Sequence, residues 1–200
     1  LERDRLTAFS DGVIAVIITI MVLDLHAPQT TDIYALLAIA PTFLSYLLSF
    51  IYVAIYWNNH HHFFQLVPHV TGGILWSNLH LLFWLSLIPF ASGWIGEHSH
   101  AALPTAVYGA SLLMTAVAWY IMQTTIIRAQ GNRSALREAL GLDLKGKLAP
   151  LLYLAGIALA FVATWASDLI YAGVALLWLV PDRRIEAKLD EEGEADVKLP

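Results

Sequence analysis

The chain has no cysteine, which removes disulfides, thiol nucleophiles and cysteine-ligated metals from consideration. Charge is nearly as scarce. Only 14% of the 200 residues are Asp, Glu, Lys or Arg, against 58% apolar ones. The stretches 33–96, 98–127 and 148–167 carry no such charge at all. A charged side chain at mid-bilayer costs about 3 kcal/mol on the insertion scale, so a hydrocarbon solvent accounts for these runs and water does not. The composition is that of a polytopic membrane protein. A span needs about 20 residues, so six spans with short connections use nearly the whole chain and leave no room for an extramembrane catalytic domain. The net charge of −5 is modest and comes partly from the acidic residues 190–196. It gives no reason to expect a nucleic-acid partner.

The apolar runs predict helices at about 6–25, 33–60, 70–94 and 102–128, with Pro41 and Pro89 inside the second and third. The remaining run, 148–181, reads as a hairpin turning at Asp168, with helices at about 148–165 and 169–183. On this reading all eleven basic residues fall on one side. Arg3 and Arg5 precede the first span; Arg128, Arg133, Arg137, Lys145 and Lys147 lie between the fourth and fifth; Arg183, Arg184, Lys188 and Lys198 follow the sixth. The opposite connections carry Asp24, Asp32, Glu97 and Asp168 and no basic residue. The positive-inside rule then places both termini in the cytoplasm. The expected fold is all-α: a six-helix transmembrane subunit over 1–185, then an acidic, disordered tail over 186–200. Residues 132–143 read as a short amphipathic helix at the cytoplasmic interface, with Ser134 as its N-cap. The chain opens Leu-Glu-Arg-Asp-Arg rather than with Met, which reads as a trimmed start. Its first apolar stretch is long enough to be a retained helix rather than a cleaved signal.

Asp11 sits inside the first span rather than beside it, and an intramembrane carboxylate calls for a partner. Depth along the helices allows Trp57, His60 or Asn78; Arg5, six residues away, is out of register for a helical ion pair. Two readings of Asp11 stand on the residues alone: an anchor tying the first helix to its neighbours, or a direct contact with ions. The triplet His60-His61-His62 is not expected to hold a metal, because successive helical side chains diverge by about 100°. No cofactor is expected either. Beyond Asp11, Val16, Thr19, Ile20 and Leu23 share one face at helical spacing. Around a symmetry axis such a face would stack rings of branched aliphatics with one hydroxyl layer, and apolar rings gate by dewetting. Packing against other helices would use the same spacing.

The string Arg5-x-x-x-Phe9-Ser10-Asp11-Gly12-Val13, followed by Thr19 and Leu23-Asp24-Leu25, resembles the signature of the potassium channels of the transmembrane-protein-175 type. The likeness continues in Trp57-x-x-His60-x-x-x-Phe64, Leu75-Trp76-Ser77-Asn78-Leu79 and Leu87-Ile88-Pro89-Phe90, and so covers almost the whole chain. The resemblance implies a potassium-conducting pore lined by the first helix, with Val16, Ile20 and Leu23 at the constriction and Thr19 beside it, favouring potassium. It implies that Arg5, Phe9, Ser10 and Asp11 form a motif whose polar members join Trp57, His60 and Asn78 in holding that helix in place. It also implies a homotetramer in the lipid bilayer, in the inner membrane for a prokaryotic homologue. Val16 departs from the usual Ile or Leu, so Ile20 or Leu23 becomes the tightest point. The backbone filter sequence Thr-Val-Gly-Tyr-Gly is absent, which leaves selectivity to pore geometry and Thr19.

The leading expectation is a passive cation channel. The alternative is a proton- or cation-coupled carrier in which Asp11 and His60 titrate. The spans lack the paired Gly/Pro breaks that mark a carrier's midplane site. An enzyme would need a convergent polar cluster, and the scattered Asp, His and Asn residues do not supply one.

Overall fold

In the computed structural model, which describes residues 2–131, 134, 136, 137 and 144–179, the apolar runs become helices and no described residue is in a strand. They are α1 (Arg3–Met21, ending in a 3₁₀ turn at Val22–Asp24), α2 (Ile33–Ala38), α3 (Ala40–Gln65), α4 (Gly72–Ser86), α5 (Ile88–Glu97), α6 (Ala102–Gln130), α7 (Leu144–Leu159) and α8 (Thr164–Leu179). Among the described residues, four segments are long and apolar enough to cross a membrane: Arg3–Asp24, Ala40–Gln65, Gly72–Glu97 and Ala102–Gln130. Helix α8 is apolar but shorter, at 16 residues. The acidic tail and the end of the expected last span lie outside the described residues.

Local chemistry sets the boundaries. Asp32 caps α2, its Oδ1 accepting from the Ala35 N–H at 2.9 Å. The Thr30 hydroxyl donates to its other oxygen, and this bond, then the Ala35 amide, holds the carboxyl below its usual range. Thr71 caps α4 in the same way. The second and third expected helices are each broken in two, at Ile39 before Ala40-Pro41 and at Leu87 before Ile88-Pro89. Proline lacks an N–H and crowds the carbonyl four residues back, so one continuous ladder cannot run through it. Gly131, with φ 72°, ends α6 in a conformation that glycine adopts without strain. Ser134 Oγ accepts from the Arg137 N–H at 3.2 Å, the geometry of an N-cap; most of 132–143 lies outside the described residues.

One expectation is corrected. The α7–α8 turn falls at 160–163, and Asp168 stands inside α8 rather than at the bend. The amides of Val162 and Ala163 close onto the Leu159 carbonyl at 2.9 and 2.7 Å. Ser167 is fully buried and donates to the Gly156 carbonyl at 2.7 Å, fastening the start of α8 to α7. The true turn, Ala160-Phe161-Val162-Ala163, has no Gly, Pro or Asn to announce it.

Two apolar cores hold the helices. One joins α1, α3, α4 and α6 through Ile14, Ile17, Met21, Val53, Leu81 and Met122. The other joins α3, α6, α7 and α8 around four buried tyrosines: Tyr52, Tyr108, Tyr153 and Tyr171. Tyr171 donates to the Thr105 carbonyl at 3.3 Å, and Tyr52 donates to the Tyr171 carbonyl. Small residues let α3 and α5 approach closely, as membrane helices commonly do. Thr42 donates to the Gly96 carbonyl at 3.1 Å, Ser45 to the Ser92 carbonyl at 3.2 Å, and the Ser49 and Ser92 hydroxyls meet at 2.8 Å.

Candidate functional site

Helix α1 has two faces. Leu6, Ser10, Ile14, Ile17 and Met21 are buried against the rest of the chain. Arg5, Phe9, Val16, Thr19, Ile20 and Leu23 are exposed, with Val16 54% and Leu23 72% accessible. The four residues expected to line a pore therefore sit together on the side of α1 that its own chain leaves uncovered. Thr19 donates to the Val16 carbonyl at 3.0 Å. Its proton is committed to the helix, so the outward side of its oxygen is an acceptor.

The buried face carries the polar attachments. Ser10 donates to the Leu6 carbonyl at 2.9 Å and accepts from Asn78 Nδ2 at 2.9 Å. Asn78 Oδ1 lies 2.8 Å from His60 Nε2. With the Asn78 amide nitrogen turned to Ser10, its oxygen is the acceptor, so His60 donates from Nε2. The His60 ring lies against Phe64, centroids 4.5 Å apart, and its buried Nδ1 has no hydrogen-bond partner among the described residues. Separately, the Trp57 indole donates to Asp11 Oδ1 at 3.0 Å. Arg3 reaches the Gln65 carbonyl at 3.4 Å, a second tie between α1 and α3.

The sequence-predicted residues thus divide into three groups. Trp57 is the partner of Asp11, while His60 and Asn78 serve Ser10 instead. Arg5 and Phe9 stand on the exposed face, and Arg5 makes no hydrogen bond or ion pair with a described residue. The histidine triplet splays as expected: His60 is buried, His61 is exposed beside Gln65 at 2.9 Å, and His62 is intermediate. No group of three or more His, Asp or Glu among the described residues could hold a metal ion. A cavity of about 30 Å³, room for one or two waters, lies away from α1 between α3, α6, α7 and α8, lined in part by Tyr56, Asn59 and Gln123. Sequence reasoning missed that Asp24 packs over Gly93 of α5, because a glycine in an apolar run carries no distinguishing signal.

The comparisons agree with this architecture. Residues 5–89 match the family described as the endosomal/lysosomal potassium channel TMEM175. A potassium channel of Chryseobacterium sp. (strain P1-3) is 51% identical over 191 residues, covering 96% of this chain and 100% of that protein. A potassium channel of Chamaesiphon minutus is 30% identical, covering 83% of this chain and 88% of its own. The crystal structure of a lysosomal potassium-selective channel TMEM175 homologue from Chamaesiphon minutus superposes with a TM-score of 0.79 at 28% identity, over 90% of this chain and 98% of that one. With near-complete coverage at this identity, and with the motif residues placed on one two-faced helix, the chain belongs to the TMEM175 potassium-channel family.

Proposed function

We propose that this chain is the subunit of a homotetrameric, potassium-permeable cation channel whose pore is lined by α1. The observation that carries the reading is the exposed stripe of Val16, Thr19, Ile20 and Leu23 on a helix whose opposite face is fully engaged. Four such helices around an axis would form apolar rings at Val16, Ile20 and Leu23, with the Thr19 oxygens between them. Conduction is passive and involves no covalent step. The apolar rings impose a dewetting barrier, and the Thr19 acceptors offset part of the cost of stripping water from a cation. Potassium holds its water less tightly than sodium, so it meets the lower barrier.

In this reading residues 1–185 form the channel unit, with six spans and both termini in the cytoplasm, in the inner membrane of a bacterial cell. The Ser10–Asn78–His60 chain and the Asp11–Trp57 bond hold α1 still and do not touch the ion. The names of the bacterial relatives, all potassium channels, support the cargo.

The test is cation flux into liposomes holding the purified protein, read with a voltage-sensitive dye under potassium or sodium gradients. Rapid potassium-driven flux without a proton gradient is expected. Ile20→Ala and Leu23→Ala are expected to raise leak or reduce discrimination between the two ions. Unchanged currents in both variants would remove the pore from α1. Flux that requires an imposed proton gradient would establish a coupled carrier instead.

A further inference from the structure

Asp24 closes the α1 segment, directly after Leu23. Successive residues of a 3₁₀ turn point about 120° apart. Leu23 accordingly faces outward, while the Asp24 side chain turns back into its own subunit, toward α5. There it meets Gly93. A Cβ built on Gly93 would lie 3.1 Å from Asp24 Oδ2 and 3.2 Å from its Cγ. The carboxylate makes no hydrogen bond or ion pair with a described residue, so shape, not charge pairing, defines this contact. Bare backbone at residue 93 is what leaves room for the Asp24 carboxyl group at the end of the α1 segment.

The seat is rigid. Ser92 and Gly96, on the adjoining face of α5, are bonded to Ser45, Ser49 and Thr42 of α3. Helix α5 is thus pinned to α3 on one side and offers Gly93 to α1 on another. The α1 end is equally defined: Leu25 N–H bonds to the Val22 carbonyl at 3.1 Å, and the His26 ring lies 3.0 Å from the Asp24 carbonyl oxygen. The geometry points to Asp24 and Gly93 as a spacer pair that sets how far the Leu23 end of α1 stands from α5, and hence the width of the outer ring of the pore. Both are positioning residues that act through Leu23, and the inference rests on the channel reading above.

The direction of the effect follows. A side chain at residue 93 pushes Asp24 away from α5 and drives Leu23 toward the axis, narrowing the ring. Shortening Asp24 makes room again. Gly93→Val is therefore expected to lower potassium flux severalfold and shift the potassium/sodium reversal potential. Gly93→Val combined with Asp24→Ala is expected to recover most of the wild-type values. Additive losses in the double variant would overturn the spacer. The contact itself is read without flux. The chain has no cysteine, so Asp24→Cys with Gly93→Cys supplies the two thiols of each subunit. Mild oxidation should protect both from a maleimide–polyethylene glycol label within one subunit; two reactive thiols would overturn the contact. Protected thiols with wild-type flux and reversal potential in Gly93→Val would overturn the positioning role. Inert wild-type protein, together with protected thiols in the double-cysteine variant, would instead bring down the channel reading on which the spacer depends.

Discussion

At the scale of single residues, the polar side chains of α1 divide by burial. Ser10 is fully enclosed and its hydroxyl is saturated, whereas Asp11 is half-buried and held by one indole. Interhelical hydrogen bonds in membranes average only about 0.6 kcal/mol, but removing the middle of a buried chain strands the groups at both ends. Asn78→Ala leaves the His60 Nε2 proton and the Ser10 oxygen without partners, an expected loss of about 1–3 kcal/mol. A denaturant titration of the detergent-solubilised protein reads that loss. Asp11→Asn keeps a carbonyl acceptor for Trp57, so it is expected to weaken assembly modestly and leave potassium flux in the surviving assemblies unchanged. Normal assembly with abolished transport would return Asp11 to the ion path. These residues were legible in the sequence because each is a polar group in a run that excludes polar groups. Which of them pairs with which was not. Trp57, His60 and Asn78 all lie at a suitable depth, and only the rotation of α3 and α4 about their axes assigns Trp57 to Asp11 and Asn78 to Ser10.

At the scale of elements, Tyr171 is the wedge of the α6–α7–α8 packing. A Cβ on either Gly109 or Gly156 would overlap its ring. Neither side can yield easily, because Tyr171 is fully buried and bonded to Thr105. Overpacking a tight core typically costs about 1–3 kcal/mol. Gly156→Ala is expected to fall at the upper end of that range and to loosen α8. Greater protease sensitivity around 160–163 would report it. Wild-type resistance would mean that the ring has another place to go. The long helices were legible from uncharged runs; Pro41 and Pro89 were visible inside two of them, but each was expected to run on as one helix rather than to break there. The α7–α8 turn was misplaced by several residues for a physical reason. In an apolar environment a charged residue looks like the natural exit to water, whereas Ala160–Ala163 turns on backbone hydrogen bonds alone.

At the scale of the whole molecule, one subunit buries its tyrosine-rich core yet leaves its most specific helix half bare. In the proposed channel the bare face belongs to the assembly, and a single chain's hydropathy pattern cannot distinguish a face meant for water, lipid or another copy. Charge asymmetry and the α1 motif made the class of molecule legible. The pairing of Asp24 with Gly93 was not, since it joins residues far apart in sequence through a contact of shape.

The exposed face of α1 has one more consequence. If every subunit contributes the same stripe to a common lumen, no subunit carries a private pathway, and damage cannot be confined to the copy that bears it. A half-and-half mixture of wild-type subunits and subunits with a pore-blocking substitution at Leu23 would leave only about one assembly in sixteen free of the lesion under random association. Co-expression at graded ratios should therefore suppress flux as a steep power of the wild-type fraction. A proportional decline would mean that each chain conducts alone.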